Sequence, residues 1–147
     1  MRPDCFGKGL YKVPHAIRLD PEGNVWTVDA GSSTVIKFSP KGTKLLEIDA
    51  GGLPGPTLTA FCGTTDVAFA PKGWIFISDG YAKARILEYT ADGKKVREWG
   101  SAGAGPGQFH LPHSIVVDEN NNREAKTFIG ARLRSIEQKK CGGKDTA

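Results

Sequence analysis

Short apolar runs separated by glycine-containing turns make up most of the chain as far as residue 118. The runs are rich in Val, Ile, Phe, Tyr and Trp, which are the residues that favour β-strands. Apolar positions do not recur at helical spacing over the same stretch. The 19 glycines and 9 prolines agree with a fold that has many turns. The pattern therefore predicts an all-β fold that is built from short strands.

The strand pattern occurs in successive copies. The motifs PHAIRLDP at residues 14–21, TTDVAFAP at 64–71 and PHSIVVDE at 112–119 align His15 with Thr65 and His113, at spacings of 50 and 48 residues. Three further strands are predicted in each of the first two copies, at residues 25–29, 34–38 and 44–48, and at residues 74–79, 85–89 and 95–99. Four short strands in each ~50 residues are typical of a β-propeller blade. A generic antiparallel sandwich is the alternative.

The 147 residues hold two complete copies and the first strand of a third. A closed propeller needs at least about four blades. We therefore expect an incomplete propeller, whose ring would be closed by further blades or by other copies of the chain. Residues 1–122 are predicted to form the blades, and residues 123–147 a degenerate third blade or a basic, partly disordered tail.

The net charge of +4 is partly a property of the C-terminal end. Seven of the 20 basic residues follow Asn122, namely Arg123, Lys126, Arg132, Arg134, Lys139, Lys140 and Lys144. Aromatic residues are not interleaved with these charges beyond Phe128, which favours a solvated tail over a nucleic-acid surface. Apolar runs fall well short of the ~20 residues that span a bilayer, and the first residues show no signal peptide. A membrane partner is therefore not expected.

The cysteines and two turn carboxylates have structural interpretations. Cys5, Cys62 and Cys141 are an odd number at wide spacings, which predicts neither a CxxC zinc knot nor a disulfide framework. Asp29 and Asp79 each end a predicted strand, where a carboxylate commonly caps the following turn.

Four motifs together resemble a known family. PGQF at residues 106–109 followed by PHSI at 112–115 resembles NHL-repeat propellers in general. With TDVA at 65–68 and SDGY at 78–81, the chain resembles peptidyl-α-hydroxyglycine α-amidating lyase over about residues 12–118. The resemblance implies a six-bladed propeller, within the roughly four to eight blades of this architecture.

The resemblance also implies a metal site. In the family, histidines from three blades hold a zinc ion, and His15 and His113 match two of them. The third histidine and a catalytic arginine belong to blades that this sequence does not contain. Tyr81 matches the catalytic tyrosine. Cys62 matches a disulfide-bonded cysteine whose partner position is Ala82 here, so that bond cannot form.

The implied substrate is a peptide that ends in α-hydroxyglycine. Zinc would bind the hydroxyl, a base would remove its proton, and C–N cleavage would give a peptide amide and glyoxylate. Tyr81 is the candidate base, and it needs nearby positive charge because free tyrosine has a pKa of about 10. Structural calcium and a secreted or extracytoplasmic location are also implied.

Other interpretations stay open at this point. A histidine that begins a strand after a proline is, without the resemblance, most simply an exposed or hydrogen-bonded side chain. His110 and His113 have HxxH spacing, but residues i and i+3 of a strand point in different directions. The alternative function is a non-catalytic NHL module that binds protein or RNA. A fragment without activity is the third possibility.

Overall fold

The computed structural model describes residues 5–51, 63–81 and 83–117. Within these ranges the strands are β1 (Pro14–Leu19), β2 (Val25–Asp29), β3 (Thr34–Phe38), β4 (Lys44–Asp49), β5 (Asp66–Phe69), β6 (Ile75–Asp79), β7 (Arg85–Tyr89) and β8 (Lys95–Trp99). They form two four-stranded antiparallel sheets, in the orders β1-β2-β3-β4 and β5-β6-β7-β8. A short 3-10 turn at Pro71–Gly73 connects β5 and β6. The predicted all-β partial propeller with two blades is confirmed.

The two blades share irregularities as well as strands. Gly42 and Gly93 occupy the matching turns before β4 and β8, and both have a φ of 83°, in the left-handed region that favours glycine. Just before each turn the pairing register slips, between Lys37 and Phe38 in the first blade and between Glu88 and Tyr89 in the second. The glycine turn and the irregular strand pairing thus occur together in both blades, as expected of a repeated structural unit.

The third copy differs from its prediction. No strand is formed in residues 111–117, the part of the predicted 112–119 strand region that the structure describes. A strand is defined by ladder bonds to a partner, and the expected partner of this segment lies beyond residue 117. Ile115 nevertheless packs against the second blade, in a cluster with Ala68, Phe76 and Ile86. The predicted division at residues 122 and 123 lies outside the described residues.

The main core lies between the two blades. It combines side chains from both sheets, including Trp26, Val28, Val35, Ile75, Ile77 and Leu87. A fully buried aliphatic side chain of this kind contributes about 1.5–3 kcal/mol. The second blade is buried on both faces, since every residue of β6 and β7 is buried. In the described ranges, no helix is long and apolar enough to cross a bilayer.

The first blade is covered less completely on the face that points away from the second. Phe6 stacks on Phe38 with ring centroids 5.0 Å apart, and the Tyr11 hydroxyl donates to Thr27 Oγ1 at 3.0 Å. Ile17 and Leu19 on the same face are 64% and 67% exposed. Val67, which occupies the position of Ile17 in the second blade, is fully buried. The internal repeat thus shows directly what an adjoining blade would cover.

Candidate active site

The structure brings together the three residues that the sequence singles out. His15 lies in β1, Tyr81 follows β6, and His113 lies in the third copy. The Tyr81 hydroxyl is 3.2 Å from Nε2 of His15 and 2.8 Å from Nε2 of His113. The two imidazole rings have centroids 4.8 Å apart. Three side chains that are distant in sequence thus form one half-buried cluster, with His15 and His113 at the matching position of the first and third copies.

A β-bulge aims His15 into the cluster. Pro14 pairs with Asp29 and Ala16 with Val28, so His15 is an extra residue in the ladder between β1 and β2. Such bulges re-aim a side chain and are frequent next to active sites. Asp29 fixes the chain that leads into the bulge, because its carboxylate accepts hydrogen bonds from the backbone N–H groups of Lys12 and Val13 at 3.1 and 2.5 Å.

Asp29 also accepts a hydrogen bond from the backbone N–H of Ser32 at 3.0 Å, which confirms the predicted turn cap. Its counterpart Asp79 forms an ion pair with Arg85, whose Nε lies 2.8 Å from Oδ2. Arg85 also donates to the backbone carbonyl of Ala50 at 3.1 Å. Hydrogen bonds and ion pairing with Asp79 and Glu98 raise the pKa of Arg85, although burial opposes them. The matching carboxylates thus fix different segments in the two blades.

Two glycines allow three chain segments to meet at Tyr81. The backbone N–H of Tyr81 donates to the carbonyl of Gly63 at 3.1 Å. A Cβ at Gly63 would lie 2.8 Å from the Ala30 carbonyl oxygen, and a Cβ at Gly80 would lie 2.4 Å from the Pro112 carbonyl oxygen. Both neighbours are backbone atoms, which cannot rotate away as a side chain can. Glycine at these positions therefore permits the close approach that places the Tyr81 hydroxyl between the two histidines.

The hydrogen bonds define how the protons are arranged. Nδ1 of His15 lies 2.7 Å from the carbonyl oxygen of Thr65, which can only accept, so Nδ1 carries the proton. In a neutral His15 ring, Nε2 is then an acceptor for the Tyr81 hydroxyl. Tyr81 Oη in turn accepts from Nε2–H of His113. This arrangement satisfies all three bonds with both rings neutral.

The electrostatics of Tyr81 and His113 agree with this arrangement. Burial raises the pKa of Tyr81 above its ordinary value near 10. Burial and the nearby His15 lower the pKa of His113, and Asp66 opposes them. Near neutral pH the cluster is therefore a protonated tyrosine beside an uncharged His113. The predicted role of Tyr81 as a base requires positive charge near its hydroxyl to oppose this effect of burial.

The donor set fits part of a zinc site. The two imidazole Nε2 atoms both face the Tyr81 hydroxyl, and the bond from His15 Nδ1 to a carbonyl is the kind of outer contact that typically orients a metal-binding histidine. Catalytic zinc sites generally use three protein ligands. Among the described residues, no group of three or more His, Cys, Asp or Glu side chains could hold a metal ion. His15 and His113, the two predicted ligands, thus lie side by side, and their binding of zinc stays a prediction, as does calcium.

The remaining predicted residues have simpler positions. His110 is exposed. Cys5 is an exposed free cysteine. Cys62, Ala82 and Cys141 lie outside the described residues, as do the basic residues after Asn122.

Two residues that the sequence motifs did not single out for the site connect the strand that carries His15 with the segment that carries His113. Thr65 and Asp66 are buried between them and contact both, as detailed below. The signal was in the repeat itself, because the middle copy has Thr-Asp where the flanking copies have His-Ala and His-Ser. A departure from an otherwise regular repeat marks a position with a role of its own.

The fold and the cluster together define a partial β-propeller of the NHL type with a histidine–tyrosine centre. No family model matches the chain. Comparison with known sequences confirms the resemblance to the amidating enzymes. The chain is 39% identical over 118 residues to rat peptidylglycine α-amidating monooxygenase, covering 76% of this chain and 12% of that protein. It is 34% identical over 123 residues to peptidyl-α-hydroxyglycine α-amidating lyase 1 of Drosophila melanogaster, covering 76% and 23%.

The chain is therefore a homologue of part of the peptidyl-α-hydroxyglycine α-amidating lyases, and it spans less than a quarter of the length of these two relatives. It is also 30% identical over 105 residues to human NHL repeat-containing protein 3, covering 66% of this chain and 30% of that one. Among solved structures, KlHsv2 with loop 6CD replaced by a Gly-Ser linker matches with a TM-score of 0.51 at 12% identity, over 73% of this chain and 32% of that one. This last match concerns the fold alone.

Proposed function

We propose that the chain carries part of the active site of a zinc-dependent peptidyl-α-hydroxyglycine lyase. The observation that carries the proposal is the convergence of His15 and His113 on the hydroxyl of Tyr81, at 3.2 and 2.8 Å. Homology to lyases of this activity supports it. His15 and His113 would hold the metal, together with a third ligand from elsewhere. When bound, zinc would lower the pKa of a coordinated hydroxyl, as it does that of water.

The proposed reaction is an elimination at a C-terminal α-hydroxyglycine. The hydroxyl proton leaves and the carbonyl group of glyoxylate forms. The electron pair of the broken C–N bond goes to the amide nitrogen, which takes up one proton and becomes the peptide amide. Tyr81 is placed to accept the first proton and to return one. Because burial raises its pKa, it can act as the base only where a cation lowers that pKa again.

A chimera tests this proposal. In the Drosophila lyase, the aligned stretch of 123 residues is replaced by the corresponding residues of this chain. We expect the chimera to release glyoxylate from a peptidyl-α-hydroxyglycine, and Tyr81→Phe to reduce kcat about 10²–10⁴-fold, the range of general acid–base contributions. Tyr89→Phe is the matched control, because Tyr89 is buried in the core between the blades. A folded, zinc-loaded chimera without activity would contradict the proposal.

Metal binding by the chain itself gives a second measurement. Titration with Zn²⁺, followed by calorimetry, should show binding that His15→Ala or His113→Ala abolishes. His110→Ala should leave it unchanged, because His110 is exposed. Zinc binding that survives both substitutions would place the metal elsewhere.

A non-catalytic NHL module is the second candidate, and the relation to human NHL repeat-containing protein 3 favours it. Such a module would bind protein or RNA on one face. RNA binding that weakens steeply with salt concentration would support this reading. Absence of binding at low ionic strength would count against its nucleic-acid form.

A further inference from the structure

The middle repeat differs from its neighbours where they carry the histidines. The position of His15 and His113 is occupied by Thr65, and the next position by Asp66. Both side chains are buried, at 1% of the full exposure for each residue. They lie between the strand that carries His15 and the segment that carries His113. Their contacts show what the substituted positions do.

Asp66 contacts all three copies of the repeat. Its Oδ2 atom accepts hydrogen bonds from Arg18 Nη2 at 2.7 Å, from Ser114 Oγ at 2.9 Å and from the backbone N–H of Ile115 at 3.2 Å. Its Oδ1 atom accepts from the backbone N–H of Val67 at 2.9 Å. Arg18 belongs to β1, the strand of His15, and Ser114 directly follows His113. One carboxylate thus ties together the two segments that carry the histidines.

Thr65 makes the complementary contacts. Its carbonyl oxygen accepts the hydrogen bond from Nδ1 of His15 at 2.7 Å, and so selects the tautomer of that ring. Its hydroxyl donates to the carbonyl oxygen of Pro112 at 2.6 Å, directly before His113. His113 is therefore held on one side through Pro112 by Thr65, and on the other through Ser114 by Asp66.

We propose that Thr65 and Asp66 are positioning residues, which set the separation of His15 and His113 and the tautomer of His15. In this reading the middle repeat contributes no ligand and instead holds the two flanking histidines in place. This positioning role deepens the proposed function and rests on it in one respect, namely that the histidine pair serves to bind a metal ion. The positioning itself is a property of the metal-free protein, so it can be tested separately.

The experiment is NMR of the whole chain with ¹⁵N-labelled histidine, without metal. In the wild type, His15 should show a pure Nδ1–H tautomer, and His113 a slowly exchanging ring N–H that is bonded to Tyr81. Asp66→Asn should average both signatures toward those of a free imidazole, since an amide cannot accept all of the bonds made by the carboxylate. Asp20→Asn is the matched control and should change neither, because Asp20 is a hydrogen-bonded carboxylate that follows the end of β1 remote from His15.

Two variants separate positioning from general destabilisation. Thr65→Val removes the hydroxyl but keeps the backbone carbonyl, so it should alter the His113 signature and leave that of His15. Thr65→Ser restores the hydroxyl and should restore the His113 signature. Should Asp66→Asn not fold, Ser114→Ala removes one bond from the same carboxylate and should alter His113 alone.

The outcomes distinguish the two proposals. Wild-type signatures in folded Asp66→Asn and Thr65→Val would overturn the positioning role, as would the absence of the Nδ1–H tautomer in the wild type. In a Zn²⁺ titration, Asp66→Asn should weaken binding about 10–100-fold, the usual effect of losing an outer contact of a metal site. If the NMR changes occur as expected but the wild type binds no Zn²⁺, the positioning role is supported and the zinc proposal fails.

Discussion

Gly80 offers the sharpest test of how closely the site is packed. The perturbation is Gly80→Ala, which adds one methyl group. The new Cβ would lie 2.4 Å from the Pro112 carbonyl oxygen and 3.0 Å from Cγ2 of Thr65. Because φ of Gly80 is not in the left-handed region, backbone strain does not contribute, and the effect is steric alone. The methyl group must therefore push two chain segments apart.

The size of that displacement follows from the distances. Ordinary van der Waals contact begins at 3.4 Å, so the Cβ and the Pro112 oxygen must separate by about 1 Å. Gly80 precedes Tyr81 and Pro112 precedes His113, so the separation acts on the 2.8 Å hydrogen bond between their side chains. An added 1 Å along that bond takes it past hydrogen-bonding distance. Overpacking of this kind costs about 1–3 kcal/mol, or roughly 3–9 °C in Tm for a chain of this size.

Three measurements check the Gly80→Ala prediction. The His113 ring N–H should lose its slow exchange in NMR, Tm should fall by the stated amount, and the chimera should lose about 10²-fold in kcat, as expected for a 1 Å misplacement. Gly105→Ala is the control, because its Cβ would meet only the end of the flexible Gln108 side chain at 3.0 Å. An unchanged ring N–H together with an unchanged Tm in Gly80→Ala would refute the close packing argued for Gly80 and Pro112.

Two further predictions concern stability. Burial alone would raise the pKa of Asp20, but hydrogen bonds from Trp26 and Asn24 outweigh it and lower the pKa to about 2. Because the pKa is lowered in the folded state, the ionised Asp20 stabilises the fold above about pH 4, and this stabilisation is lost as the pH falls toward 2. With solvent screening, its contribution to the free energy of unfolding is about 1 kcal/mol. Urea midpoints between pH 5 and 2 should show a smaller decline in Asp20→Asn than in the wild type, and equal declines would contradict the assignment. Val67 and Ile17 occupy the same repeat position but are 0% and 64% exposed. In urea unfolding, Val67→Ala should therefore lower the free energy of unfolding by about 2–3 kcal/mol, and Ile17→Ala by under about 0.5 kcal/mol. Similar losses for the two variants would mean that Ile17 is covered in solution.

The sequence predicts the blades because their signal is local. A short apolar run, a glycine turn and a second run specify a hairpin wherever they occur, and the spacing of 50 residues between His15 and Thr65 exposes the repeat. The site residues could be chosen because each stands at a repeat position or on a turn with a family motif. Both kinds of information are contained in short stretches of chain.

The contacts between repeats could not be predicted in the same way. The bulge at His15 depends on how β1 pairs with β2. The bonds of Asp66 join residues 48 and 49 positions apart. Nothing within either local stretch encodes such a bond, since it exists only once the blades have packed. The same is true of the Tyr81 pKa, which depends on burial by segments from all three copies.

The direction of the Tyr81 pKa shift gives the cluster a definite chemical meaning. A base must be able to lose its proton near neutral pH, yet burial makes this tyrosine a weaker acid than a free one. Its hydroxyl faces the Nε2 atoms of His15 and His113, the two atoms that the proposed function assigns to a metal. Positive charge at that point would act on the hydroxyl at hydrogen-bonding distance and so oppose the effect of burial. In the proposed function, a cation held by the histidine pair would therefore couple the protonation of Tyr81 to occupation of that pair, and would allow the tyrosine to act as a base.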